Sequence, residues 1–310
     1  MSPKQKNDIL KKEFQKRLRF IDDRQARLLK MVEKAEEKLF EKIVEDLISE
    51  VVSKEGVVEF NGDPIRFSTA LDRIYDAFLK NENLKIVNTI ADDFAGLLTL
   101  NNNYYSLFDI SNRRFEAARS AVRRRMMERL GIKSDGTLIP KKYLDSLFRD
   151  VTLREKIKQI TFKSAAAQQP LKDYIKLLKV HITGNENIDG SLVKYYKEFA
   201  FDTYQQFDRV SNVEYAKELD LQAFIYEGGL IETSREFCIK RDGKVFTVDE
   251  AATWVNDPTL PKTKEEKETG VVIYNPLEDF GRFNCRHMIR YISNEIAIML
   301  RPDLKAKLAA

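Results

Sequence analysis

The sequence predicts an α+β protein: a predominantly helical N-terminal region over 1–140, then a mixed C-terminal module over 141–310 containing a small antiparallel sheet. Three observations lead there. From Asp8 to Glu50 there is no glycine or proline, and the residues are strong helix formers. Beyond residue 221 the texture changes to short apolar alternations broken by glycine, as strands and turns require. Between them, "SDGTLIP" at 134–140 is a turn-rich linker that marks the boundary.

The elements follow in order. Phe14, Leu18, Ile21, Gln25, Leu28, Val32, Ala35 and Leu39 step by fours and threes along a long amphipathic helix. That seam suits packing on its own domain or against a partner helix. "GVVEFNGDPIRFS" at 56–68 reads as a short hairpin turning at Asn61-Gly62. Helical periodicity returns at 69–80 and 84–98, and "NNNYY" at 101–105 reads as a polar break. Next comes an arginine-rich helix, "RRFEAARSAVRRRMMER" at 113–129, which Gly131 is placed to stop. Phe115, Val122, Met126 and Leu130 form its apolar stripe. Helices are expected near 141–149, 153–168, 171–180 and 191–219, with Thr152 and Glu155 at capping-box spacing. The sheet should draw on 222–231, 237–247 and 271–275. "RDGK" at 241–244 gives a turn, and Thr247 with Glu250 starts a helix.

With 33% charged and 43% hydrophobic residues, 310 residues can bury a sizeable core. No apolar run approaches the roughly 18 residues that cross a bilayer, so no membrane contact is expected. The N-terminus lacks a secretory apolar region, which points to synthesis in a cytoplasm. The net charge of +4 is modest, but its distribution is uneven. Residues 1–30 carry ten Lys/Arg against four Asp/Glu, and residues 113–129 carry seven arginines against two glutamates. Arg113, Arg114, Arg123, Arg124, Arg125 and Arg129 lie outside the apolar stripe and are candidates for non-specific contact with duplex DNA phosphates, whose oxygens the guanidinium fork fits. A salt-bridged solvated face and an acidic protein partner are the competing readings.

Neither G-x-x-x-x-G-K-[ST] nor G-x-G-x-x-G occurs, which leaves no phosphate cradle of the familiar kinds. The chain holds two cysteines and two histidines, and Cys285 and His287 stand together in "GRFNCRHMIRYIS". With Cys238 from "TSREFC" they form a donor set of the type zinc prefers, lacking an identified fourth ligand. Buried thiols with a hydrogen-bonded histidine are the structural alternative, and the favoured one. A Cys238–His287 nucleophile pair has no recognisable third group, so no catalytic residue is assigned and no cofactor beyond such a zinc is expected.

The C-terminal part resembles the phage Mu F-like minor head protein family, also called phage head morphogenesis proteins. The matching blocks are "FIYEGG" (224–229), "TSREFC" (233–238), "GKVFTVDE" (243–250) with Trp254 after it, and "YNP…GRFNCRH" (274–287). Arg235 and Cys238 match the second block; Asn284, Cys285, Arg286 and His287 match the last. Arg282 follows Gly281 where a second glycine is common. The resemblance covers roughly half the chain. It implies a minor, non-enzymatic component of a tailed-phage or prophage head, inside the capsid near the portal vertex. Its partners would be the portal protein and other head proteins, and its role head assembly and DNA packaging or ejection. The family's exchange of cysteine and histidine at these positions is what a zinc ligand set tolerates. Arg235, Arg286 and the Cys/His pair would tie the chain end onto the preceding hairpin. The alternative class is a DNA-processing or effector enzyme delivered with the phage genome.

Overall fold

The structure, a computed structural model, describes residues 1–51, 55–60, 62–133, 137, 139–140, 142, 152–282 and 285–308, with the backbone alone at 83 and 198–202. The expected 141–149 helix and most of the 134–140 linker lie outside the described residues. The expected α+β character is found. The helices α1 (Pro3–Leu47), α2 (Pro64–Phe78), α3 (Leu84–Tyr105), α4 (Asn112–Leu130), α5 (Thr152–Ala166), α6 (Leu171–Thr183) and α7 (Ser191–Leu219) precede most of the strands. No described helix is long and apolar enough to cross a membrane.

Along α1 the side chains of Phe14, Ile21, Leu28, Val32, Ala35 and Leu39 are buried. Leu18 and Gln25 are only half-buried, and Arg17 goes inside instead. The seam is consumed by the chain's own packing, so the expectation that it would suit a partner helix is corrected.

Packing divides the chain into two compact units, each drawn from both sides of residue 140. Arg24–Asp93 and Glu128–Ala200 form one; Met1–Asp23, Phe94–Met127 and Phe201–Ala310 form the other. Among its described residues the first is mainly helical, with a small hairpin of β1 (Gly184–Asn185) and β2 (Ile188–Asp189). Here the 56–68 hairpin does not form. Asp63 accepts a hydrogen bond from Ile65 N at 2.8 Å, and Pro64 opens α2, so the Asp-Pro start signal outranks the turn signal. Asn61 lies outside the described residues. Val57 bridges to Pro170 instead. Buried Glu36 accepts from the backbone N–H groups of Leu192 and Val193, capping the first turn of α7. Burial pushes its carboxyl up to about 7, against the lowering effect of those two hydrogen bonds.

The second unit contains the sheet. Its central strand β3 (Ala223–Glu227) pairs antiparallel with both β4 (Val245–Thr247) and β5 (Met288–Ile292). Phe224 faces Phe246 on one side and Tyr291 on the other. The third strand is therefore 288–292, not the expected 271–275. Val271 and Ile273 are exposed and bring too little burial to join a sheet, whereas every residue of β5 is buried. Much of 237–247 is also not strand: α8 (Glu236–Ile239) and the Arg241–Lys244 turn occupy it. Thr247 and Glu250 form the expected capping box on α9 (Val248–Ala252). Arg301 then clamps Glu250 with two bonds of 2.7 Å, holding the final helices against β4.

The "NNNYY" break is corrected too. Residues 101–105 are the last turn of α3, and Asn101, Tyr104 and Tyr105 are buried. Polar residues can sit inside because each finds a partner. Arg17, 1% exposed, donates to Asn101 Oδ1 at 2.6 Å and Asn212 Oδ1 at 2.9 Å. Its Nε stands 3.2 Å from the fully buried Asp208 carboxylate. Asn101 and Asn212 also donate to Asp208, at 3.3 and 2.9 Å. Tyr104 donates its hydroxyl to the Tyr291 carbonyl, tying α3 to β5.

Candidate functional site

Beside the sheet, three separate stretches of sequence meet. β3 supplies Tyr226, and α8 is a single turn entered after Arg235 that buries Phe237 and Cys238. A run of turns through Phe280 and Gly281 leads to Cys285 and His287, from which the chain continues into β5. The Cys238 and Cys285 sulfurs are 3.7 Å apart, and His287 Nδ1 is 3.8 Å from Cys285 Sγ. The three ligating atoms all lie within 4.8 Å of one another, and all three residues are buried. Cys238, Cys285 and His287 are thus brought together as expected.

The surroundings fix this cluster closely. Tyr226 stacks on the His287 ring at 4.8 Å between centroids, with its hydroxyl 3.4 Å from Cys238 Sγ and 3.7 Å from Cys285 Sγ. Two glycines make the room. A Cβ on Gly281 would come within 2.5 Å of Cys238 Sγ, and one on Gly228 within 2.6 Å of His287 Cα. Arg209 of α7 donates to the carbonyls of Cys285 and His287, the latter at 3.1 Å, and lies over the Phe280 ring. Arg235 donates to the Gly281 carbonyl at 2.8 Å. On its far side His287 Nε2 stands 3.3 Å from Asp242 Oδ1, outside hydrogen-bond alignment.

Electrostatically the two thiols are unequal. Cys285 is pushed down because Cys238 donates to its sulfur, with His287 and the Arg209 charge adding to that against burial. Cys238 is pushed up by holding the shared proton and by burial. The same burial lifts the Tyr226 hydroxyl well above its ordinary range. A pocket of about 210 Å³ opens onto the cluster, lined by Thr233, Ser234, Arg235, Cys238, Cys285, Arg286 and His287 among others. The arrangement can bind a soft cation, or keep a thiol and thiolate in contact.

The other expected site residues are spread out. Arg235 ties the last block to the second, as expected; Arg286, expected to share that task, is instead exposed on the pocket rim, and that part of the expectation is corrected. Asn284 lies outside the described residues. The six candidate arginines of α4 are all exposed, while Ala118, Val122, Met126 and Leu130 are buried and Phe115 is half-buried. Arg125 pairs with Glu214 and Glu218, and Arg114 donates to the Glu218 carbonyl. Tyr226, Arg209 and Asp242 were not singled out from sequence. Tyr226 stands inside the "FIYEGG" block and Asp242 inside "RDGK", so spacing could have found them. Nothing local marks Arg209, which reaches the site from a helix surface.

A scan of family models finds no match to this chain, and neither do searches of curated proteins and of solved structures.

Proposed function

We propose that this chain is a minor structural protein of a tailed-phage or prophage head, associated with the portal vertex and acting in head assembly and in DNA packaging or ejection. The observation that carries the reading is the convergence of the blocks on which the resemblance rests. "FIYEGG" contributes Tyr226, "TSREFC" contributes Arg235 and Cys238, and "GRFNCRH" contributes Gly281, Cys285 and His287 to one cluster. Trp254 sets its ring edge-on to Phe224, Tyr226, Phe237 and Phe246, joining the "GKVFTVDE" block to the same core.

The exposed arginine face of α4 supports a place beside packaged DNA. Such a face binds phosphates without reading bases. A portal partner would be bound elsewhere, since the α1 seam is buried. Co-expression with the portal protein encoded beside this chain tests the role: the two should co-purify, and DNA should be retained in a salt-dependent way. A neighbourhood without portal and capsid genes, or a portal that never co-purifies, overturns it.

A further inference from the structure

We propose that Cys238, Cys285 and His287 bind one zinc ion through three protein ligands, with the fourth position facing the pocket and taking an exchangeable water or small oxyanion. Geometry is the first argument. Two thiolates at about 2.3 Å from a tetrahedral zinc stand about 3.8 Å apart, and thiolate sulfur and imidazole nitrogen about 3.6 Å. The structure has 3.7 Å between the sulfurs and 3.8 Å from Cys285 Sγ to His287 Nδ1, with all three ligand atoms within 4.8 Å of one another. A disulfide would need a sulfur separation near 2.05 Å; the two sulfurs touch without being bonded, at the spacing a shared tetrahedral ion would also set.

The second argument is the far side of the histidine. Metal-bound imidazoles characteristically offer their other nitrogen to a carboxylate, which fixes the ring and strengthens the ligand. His287 turns Nδ1 to the sulfurs and Nε2 towards Asp242 Oδ1, 3.3 Å away though outside hydrogen-bond alignment, and Asp242 is itself held by the Gly229 N–H at 3.1 Å. Gly281 and Gly228 press so close to Cys238 and His287 that a methyl group on either would displace a ligand. Buried thiols packing as small apolar groups require none of this orientation.

The open position follows from what surrounds the trio. Among the described residues no fourth Cys, His, Asp or Glu joins the cluster. The ligands instead form part of the wall of a pocket of about 210 Å³, large enough for water and a small anion. Arg235 and Arg286 line that pocket with the hydroxyls of Thr233 and Ser234. Two guanidiniums and two hydroxyls beside a divalent cation select an oxyanion, not a neutral ligand. Three protein ligands plus an exchangeable fourth is the pattern of zinc sites that act on something; purely structural sites are closed.

The test uses the full chain purified without chelator. Metal analysis should give one zinc per chain. After exchange to cobalt, the reduced protein should show a thiolate charge-transfer band and the intense visible bands of a tetrahedral ion. Inorganic phosphate should shift those visible bands. Arg286→Gln, an exposed position, should keep the metal while raising the phosphate concentration needed roughly two- to fivefold. Substoichiometric zinc together with no charge-transfer band on cobalt addition overturns the site. Tetrahedral bands that phosphate cannot move overturn the open position. The wild-type readings decide the matter without ligand variants, and they are independent of whether the chain assembles into heads.

Discussion

Replacing Arg17 with methionine should destabilise the unit that contains the sheet, and should do so in a pH-dependent manner. Arg17 and Asp208 are 1% and 0% exposed, so the variant leaves a carboxylate deep inside without its cation. Breaking a buried pair from one side costs about 3–5 kcal/mol. Asn101 and Asn212 still donate to Asp208 at 3.3 and 2.9 Å, which favours the lower part of that range. Asn101 Oδ1 also loses the donor it has at 2.6 Å, a further cost that pH does not alter. The expected loss is about 3–4 kcal/mol at pH 7. Burial already holds the Asp208 carboxyl above its ordinary 3.8, with Arg17 the chief opposing influence. A carboxyl raised in the folded state contributes stability that is full below its unfolded pKa and lost as pH rises through the folded one. Without Arg17 the folded value climbs further, and the deficit should grow by up to about 1.4 kcal/mol per pH unit above pH 4. Urea unfolding followed through Trp254, the single tryptophan and in the same unit, measures this at pH 4 and 7. Adding Asp208→Asn should recover about 2 kcal/mol. A deficit below about 1 kcal/mol, or one equal at the two pH values, would refute the reasoning.

Gly281→Ala should cost about 1–3 kcal/mol, because its Cβ would lie 2.5 Å from Cys238 Sγ. Faster reaction of the two cysteines with a thiol reagent checks it, and unchanged protection counts against the close packing. Glu36 is raised from 4.5 to about 7, so its contribution is full below pH 4.5 and lost as pH rises through 7. Between pH 5 and 8 the wild type should therefore lose up to about 3 kcal/mol more than Glu36→Gln, whose amide oxygen still accepts from Leu192 and Val193. Parallel stability–pH curves would contradict this. Replacing Arg113, Arg123 and Arg124 with glutamine spares the Arg125 pairs and should reduce the slope of log affinity for duplex DNA against log salt by about 2–3. Gel shifts at several salt concentrations read the slope; an unchanged slope places the DNA contact elsewhere.

Elements whose signals are local were legible in the sequence. The start of α6, the Gly131 stop of α4 at a φ of 72° and the Thr247–Glu250 box are set by residues within a turn of one another. Failures came where distant partners decide. "NNNYY" reads as polar only until Arg17 and Asp208 arrive to satisfy Asn101. Arg17 displaces Leu18 from the buried seam for the same reason. The choice of 288–292 over 271–275 as third strand depends on which segment β3 can cover, and local alternation cannot report that. At the site, the scarcity of cysteine and histidine made the trio visible. Arg209 and the two cradling glycines act through shape and backbone carbonyls, which leave no pattern along the chain.

The most direct test of the proposed role is quantitative proteomics of purified particles from the host that carries this gene, intact and after DNA release. The account predicts a few copies per full head, fixed relative to the portal and protected from added protease until the head opens. Absence of the chain from DNA-filled heads, or free digestion of it on intact ones, would contradict a place inside the capsid.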